Sequence, residues 1–124
     1  MGKEYDIYCE FDIAEHKKKY TNYLEVLIEP SGKIVYAVPS HQEKAMALAC
    51  EKLGKTRDEI NAMCPRESYF DFLNWLLMRS GAVAVWNDFF AAPQELTRKQ
   101  VGALRKLKMA GLYTGIVPFI SKKK

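Results

Sequence analysis

The sequence predicts a single α+β domain over residues 1–124. It reads as an N-terminal three-stranded antiparallel sheet followed by about four helices, with one or two short C-terminal strands. Three observations lead there. Hydrophobic residues alternate with period two through most of the first 38 positions, the signature of half-buried strands. From Ser40 onward the period changes to that of helices, and three Ser/Thr-x-x-Glu/Gln signatures mark helix starts. The chain has 124 residues, 48% of them hydrophobic and 12% aromatic, enough for one packed core and too few for two ordinary domains.

The elements follow in order. Over residues 4–13, Tyr5, Ile7, Cys9, Phe11 and Ile13 share one parity while Glu4, Asp6, Tyr8, Glu10 and Asp12 share the other, which predicts a first strand. Residues 15–22, with His16-Lys17-Lys18-Lys19, read as an exposed loop. A second strand over 23–29 places Leu24, Val26 and Ile28 on one face, and a third over 33–38 does the same with Ile34, Tyr36 and Val38. Pro30-Ser31-Gly32 between them is a hairpin turn, because proline presets its own φ and glycine accepts a positive one.

Ser40-His41-Gln42-Glu43 opens a helix that carries Met46, Ala49, Cys50 and Leu53 at helical spacing and stops at Gly54. Thr56-Arg57-Asp58-Glu59 opens a short one ending before Pro65. A third, over 67–79, is apolar nearly all round, the pattern of a helix buried on several sides or feeding an interface. Residues 82–86 read as a short strand, although periodicity fits a helical continuation as well. Ala91-Ala92-Pro93 is a loop. Thr97-Arg98-Lys99-Gln100 starts the last helix, which runs to about Ala110, and residues 112–120 read as a final edge strand containing Pro118.

Composition also bears on function. Nothing at the N-terminus resembles a secretory leader, and the most apolar stretch, 69–90, is interrupted by Asp71, Asn74, Arg79, Asn87 and Asp88. A membrane span needs about 20 nearly uninterrupted apolar residues, so no membrane association is expected. Cys9, Cys50 and Cys64 are odd in number and unpaired in spacing, which fits reduced thiols in a cytoplasm. With His16 and His41 they form no zinc-ligand spacing, and Cys50 and Cys64, among apolar neighbours, read as small core residues, so neither metal nor cofactor is expected. Phosphate-binding glycine loops, H-E-x-x-H and G-x-S-x-G are all missing, and no catalytic residue is assigned.

Charge distribution carries more. The net charge is +4, and no carboxylate follows Glu95, whereas Arg98, Lys99, Arg105, Lys106, Lys108 and three terminal lysines do. At 100° per residue, Arg98 and Arg105 lie within roughly 20° of each other, as do Lys99 and Lys106, opposite Leu96, Ala103, Leu104, Leu107 and Ala110. This predicts a helix with one buried face and one basic stripe, suited to phosphates or to an acidic protein surface. A merely solvated polar face, helped by the helix dipole, accounts for the same pattern. Tyr113 is the nearest aromatic available for stacking. The carboxylates Glu4, Asp6, Glu10 and Asp12 form a second charged row, at about 7 Å spacing too sparse to chelate. The aromatics Tyr69, Phe70, Phe72, Trp75, Trp86, Phe89 and Phe90 are expected mostly in the core, with any exposed ring a natural interface anchor.

Four stretches, Tyr36-Ala37-Val38-Pro39-Ser40-His41-Gln42-Glu43, Met63-Cys64-Pro65, Phe70-Asp71-Phe72 and Val85-Trp86-Asn87, resemble small accessory proteins carried by phages and prophages of gut bacteria. The resemblance covers residues 24 to about 115. That family has no assigned activity, so no functional residue carries over. What the resemblance implies is a setting in which small proteins bind and disable a host factor, as anti-CRISPR and other anti-defence proteins do, or sequester nucleotide signals.

The leading expectation is therefore a non-enzymatic protein that binds and inhibits a bacterial host protein or complex in the host cytoplasm, through Arg98, Lys99, Arg105, Lys106, Lys108 and Tyr113. A nucleotide or nucleic acid on the same stripe is the first alternative. A small enzyme assembled around Cys64 or His41 is the second, and homo-oligomerisation stays open.

Overall fold

A computed structural model describes residues 11–19, 24–37, 40–64 and 68–118. Pro30-Ser31-Gly32 turns the chain between β1 (Val26–Ile28) and β2 (Ile34–Tyr36). Glu29 and Lys33 close the turn by a backbone hydrogen bond of 2.8 Å, and Gly32 takes the positive φ of 92° that the turn requires. After β2 come α2 (His41–Leu53), α3 (Arg57–Met63) and α4 (Tyr69–Ser80). The chain then returns through β3 (Val83–Val85) and β4 (Phe90–Ala91) and ends its regular structure with α5 (Arg98–Met109). The four strands form one antiparallel sheet in the order β2-β1-β3-β4.

Register explains why both faces of the sheet are buried. Leu27 sits opposite Val35 and Ala84, and these three face the layer made by α2, α3 and α4. Val26, Ile28, Ile34, Val83 and Val85 point the other way, onto Ala103, Leu104 and Leu107 of α5. The result is three layers, with helices on both sides of an antiparallel sheet. Of the cysteines, Cys64 is buried in the first core cluster and Cys50, partly buried, packs against it, as expected for small core residues, while Cys9 lies outside the described residues.

The α+β class holds, and four details differ from the sequence reading. The N-terminal reading of three strands gives way to one four-stranded sheet in which β1 has β3, not a preceding strand, on its second side. Residues 4–10 of the expected first strand lie outside the described residues; at its end, Phe11 N–H donates to the Ile34 carbonyl. The expected loop at 15–22 begins as a helix, α1, over Ile13–Lys19, the only element ahead of β1 among the described residues. The Asp12 carboxylate accepts from Glu15 N–H at 3.0 Å and caps it, and His16 turns inward, 1% exposed, against the rings of Phe11 and Tyr36. With α1, the described residues hold five helices where about four were expected.

β4 occupies part of the expected loop at 91–93. The expected edge strand over 112–120 is replaced by an irregular run through 118, with 119–120 outside the described residues. Gly111, at φ 81°, reverses the chain, and the amides of Leu112 and Tyr113 both donate to the Leu107 carbonyl. Both side chains then enter the same core cluster, whereas neighbouring residues of a strand point to opposite faces.

Candidate functional site

α5 is fixed at both ends by side-chain and backbone bonds rather than by helix propensity. Thr97 caps it: its hydroxyl accepts from Gln100 N–H and donates to the Pro30 carbonyl at 2.9 Å. Gln100 is wholly buried; its amide oxygen accepts from Thr97 N–H, and its Nε2 donates to Ile28 O at 3.1 Å and Gly81 O at 2.8 Å. Those bonds tie the first turn to β1 and to the end of α4. Gly32 of the hairpin tip approaches the same turn so closely that a Cβ there would come within 2.9 Å of Lys99 O. At the far end, the Leu112 and Tyr113 amides hold the last turn through Leu107.

This anchoring orients the helix as its spacing predicts. Val101, Ala103, Leu104 and Leu107 are buried, while Arg98, Lys99, Arg105, Lys106 and Lys108 are exposed. Lys108 reaches back to donate to the Gly115 carbonyl. Arg98, Lys99, Arg105 and Lys106 make no ion pair or side-chain hydrogen bond among the described residues. The structure therefore brings four predicted site residues onto one face, unengaged, while Lys108, exposed but about 20° from buried Val101 on the helix circumference, stands off that face.

Tyr113 does not join them. It is 1% exposed, packed in the second core cluster, with its hydroxyl donating to Ile116 O at 2.8 Å. Burial raises its phenol pKa above the ordinary value, with a smaller contribution from Asp88. A ring held this way offers no surface for stacking.

Two residues absent from the sequence expectation lie on the face. Gly102 falls midway between the two cation rows, 40° from Arg98 by helical geometry, and a Cβ there would meet nothing within 4 Å. Met109 lies close to the same meridian and is 82% exposed. Both positions are readable from the helical wheel, but only once glycine and methionine are counted along with charge.

The face is built against local stability. Arg98 and Lys99 occupy the first turn, which contains no acidic residue, so two cations sit at the positive end of the helix dipole. Glycine inside a helix costs about 0.5–1 kcal/mol relative to alanine. Dipole compensation thus accounts for Lys106 and Lys108 in the last turn but not for Arg98 and Lys99.

The other sequence candidates are placed as follows. Of the acidic row, Glu4, Asp6 and Glu10 lie outside the described residues and Asp12 caps α1. His41 is 2% exposed, its Nε2–H donating to Val85 O at 2.9 Å and its ring 4.1 Å from that of Trp86. Desolvation holds its pKa below the ordinary value, partly opposed by the bond to Val85. Cys64 Sγ lies 3.8 Å from Asn61 O, and no hydrogen bond joins it to His41. Among the described residues no three His, Cys, Asp or Glu side chains converge, and no helix is long and apolar enough to cross a membrane. A cavity of about 480 Å³ opens between α2 and the hairpin, with Glu29, Lys33, Lys44 and Glu51 around an apolar floor. Its lining balances cations against carboxylates. No family model, curated protein or solved structure matches the chain.

Proposed function

We propose that this protein acts by stoichiometric binding, laying the outer face of α5 on an anionic surface of a partner protein. The observation that carries the reading is the concentration of locally unfavourable choices on one well-anchored face: Arg98 and Lys99 at the wrong end of the dipole, Gly102 in mid-helix, Met109 in water. Sequences depart from local consistency chiefly where function asks for it. Arg98, Lys99, Arg105 and Lys106 supply charge, Gly102 permits close approach, and Met109 adds an adaptable apolar contact. An exposed methionine amid the cations, with Tyr113 buried, favours a protein surface over stacked bases. In the setting implied by the phage-protein resemblance, that partner is a bacterial host factor and the outcome of binding is its inhibition.

The test is affinity capture from bacterial lysate with and without nuclease, comparing the native chain with a combined Arg98→Glu, Arg105→Glu and Lys106→Glu variant of native circular dichroism. A discrete protein that survives nuclease and is lost with the variant is the expected result. Recovery of nucleotide or nucleic acid alone, with steep weakening in salt from counterion release, transfers the face to phosphate binding. A partner captured equally by the variant removes the α5 face from the interface.

A further inference from the structure

The cavity of about 480 Å³ beside the hairpin has two walls. On the hairpin side, Glu29 and Lys33 share the strand face of Leu27 and Val35. The backbone bond from Glu29 N–H to Lys33 O sets these two opposite each other at the turn. On the helix side, Lys44, Ala47, Leu48 and Glu51 recur at the i, i+3, i+4, i+7 spacing that places them on one stripe of α2. Val35, Ala47 and Leu48 supply the apolar floor. Lys44 is 4% exposed and closes the inner end, whereas Lys33 and Glu51 are exposed at the mouth and Glu29 is half-buried.

The charges around the floor select the ligand. Lys44 is already engaged within the protein. The side chains of Glu29, Lys33 and Glu51 make no ion pair or side-chain hydrogen bond among the described residues, although Glu29 and Lys33 carry opposite charges across the hairpin. A ligand entering the cavity thus meets two carboxylates, one ammonium and an apolar floor. Small-molecule sites of roughly 300–1,000 Å³ have this make-up, an apolar lining with a few polar groups that fix orientation. The two carboxylates repel phosphates and other polyanions, and a plain hydrocarbon answers none of the three charges. A molecule with an ammonium, a carboxylate and an apolar body on one small frame answers them all. We infer that the cavity binds a zwitterion of the α-amino-acid class with a large apolar side chain. Its ammonium lies on Glu29 and Glu51, its carboxylate on Lys33, and its side chain on Val35, Ala47 and Leu48. This ligand is additional to the protein partner of the α5 face.

The inference is tested on the full chain by methyl NMR during titration with L-phenylalanine, whose ring current marks the methyl groups it covers. Saturable shifts at Val35, Ala47 and Leu48 are expected. Phenylethylamine, which lacks the carboxylate, and phenylpropanoate, which lacks the ammonium, should each bind about tenfold more weakly, for loss of a charge-assisted contact. Lys33→Gln and Glu51→Gln alter exposed side chains, so each should keep the native urea-unfolding midpoint while binding L-phenylalanine about tenfold more weakly. No saturable shift at these methyl groups up to about 10 mM L-phenylalanine overturns the inference. Phenylethylamine binding as tightly as L-phenylalanine overturns it too, leaving a simple cation site, as do charge variants that bind like the native chain. The combined α5 charge-reversal variant should bind L-phenylalanine unchanged, so this test and the lysate capture fail separately.

Discussion

Replacing Gly102 by alanine separates the folding role of α5 from its binding role. The position is in mid-helix, on the exposed face, and a Cβ there meets no atom within 4 Å. Removing the conformational freedom of glycine in the unfolded chain should therefore stabilise the protein by about 0.5–1 kcal/mol. With an unfolding entropy of about 2.1 cal/mol/K per residue, a chain of 124 residues loses about 0.26 kcal/mol of stability per degree near its midpoint, so Tm should rise by about 2–4 °C. Urea unfolding and calorimetry measure both quantities. The methyl group would meanwhile stand between the Arg98–Arg105 and Lys99–Lys106 rows, and partner capture should fall. A neutral or destabilising result would refute the claim that packing leaves this position open. A stabilised variant that captured its partner as well as the native chain would refute close approach at Gly102.

Three further outcomes follow from the same geometry. Arg98→Glu with Lys99→Glu should raise stability, by about 0.3–1 kcal/mol per site at low salt, while abolishing capture; denaturation and pull-down must move in opposite directions. Gln100→Ala should cost about 2–4 kcal/mol, because it removes the hydrogen bonds to the Ile28 and Gly81 carbonyls and opens a void beneath the helix; a loss under about 1 kcal/mol in urea unfolding would contradict the anchoring role. His41 is buried and its pKa lies below the ordinary 6.5, so below about pH 6.5 the unfolded chain takes up a proton that the folded chain refuses. Stability should then decline as pH falls through that point, by up to about 1.4 kcal/mol per unit, until the folded-state pKa is reached. His41→Gln should flatten that part of a urea-unfolding profile measured between pH 7.5 and 5.5.

What the sequence disclosed depended on the range of the interactions involved. The hairpin at Pro30-Ser31-Gly32 and the capping hydroxyls of Ser40, Thr56 and Thr97 are local devices, and all four act where the pattern puts them. One differs in detail: the Glu43 carboxylate, expected to complete the Ser40 box, accepts from Arg57 at the head of α3. α1 was hidden because Asp12 and Ile13 continue the alternation of a strand, so the Asp12 cap reads as one more polar position. β4 is two residues long, too short for any period to register. Tyr113 was misplaced for a non-local reason: its burial follows from the reversal at Gly111 and the space left beside Leu107. The contacts that join the rings of His41, Tyr69, Phe70, Trp86 and Phe89 were visible only as composition, since these residues meet through the sheet register and the packing of α2 on α4.

α5 can carry an unfavourable outer face because its inner face outweighs it. Val101, Leu104 and Leu107 are fully or nearly buried, and burying such side chains contributes about 1.5–3 kcal/mol each. The two Gln100 bonds to main-chain carbonyls add about 0.5–1.5 kcal/mol apiece. The outer face costs about 0.5–1 kcal/mol at Gly102 and about 0.3–1 each at Arg98 and Lys99, each small beside one buried inner-face side chain. The inner contacts therefore govern the helix and leave the outer residues free to answer to a partner. Such a division also fixes the geometry of the face. The Thr97 hydroxyl on Pro30 and the Gln100 amide on Ile28 hold the first turn against the sheet, so the cations are displayed from a rigid element, and little helix ordering remains to be done on binding.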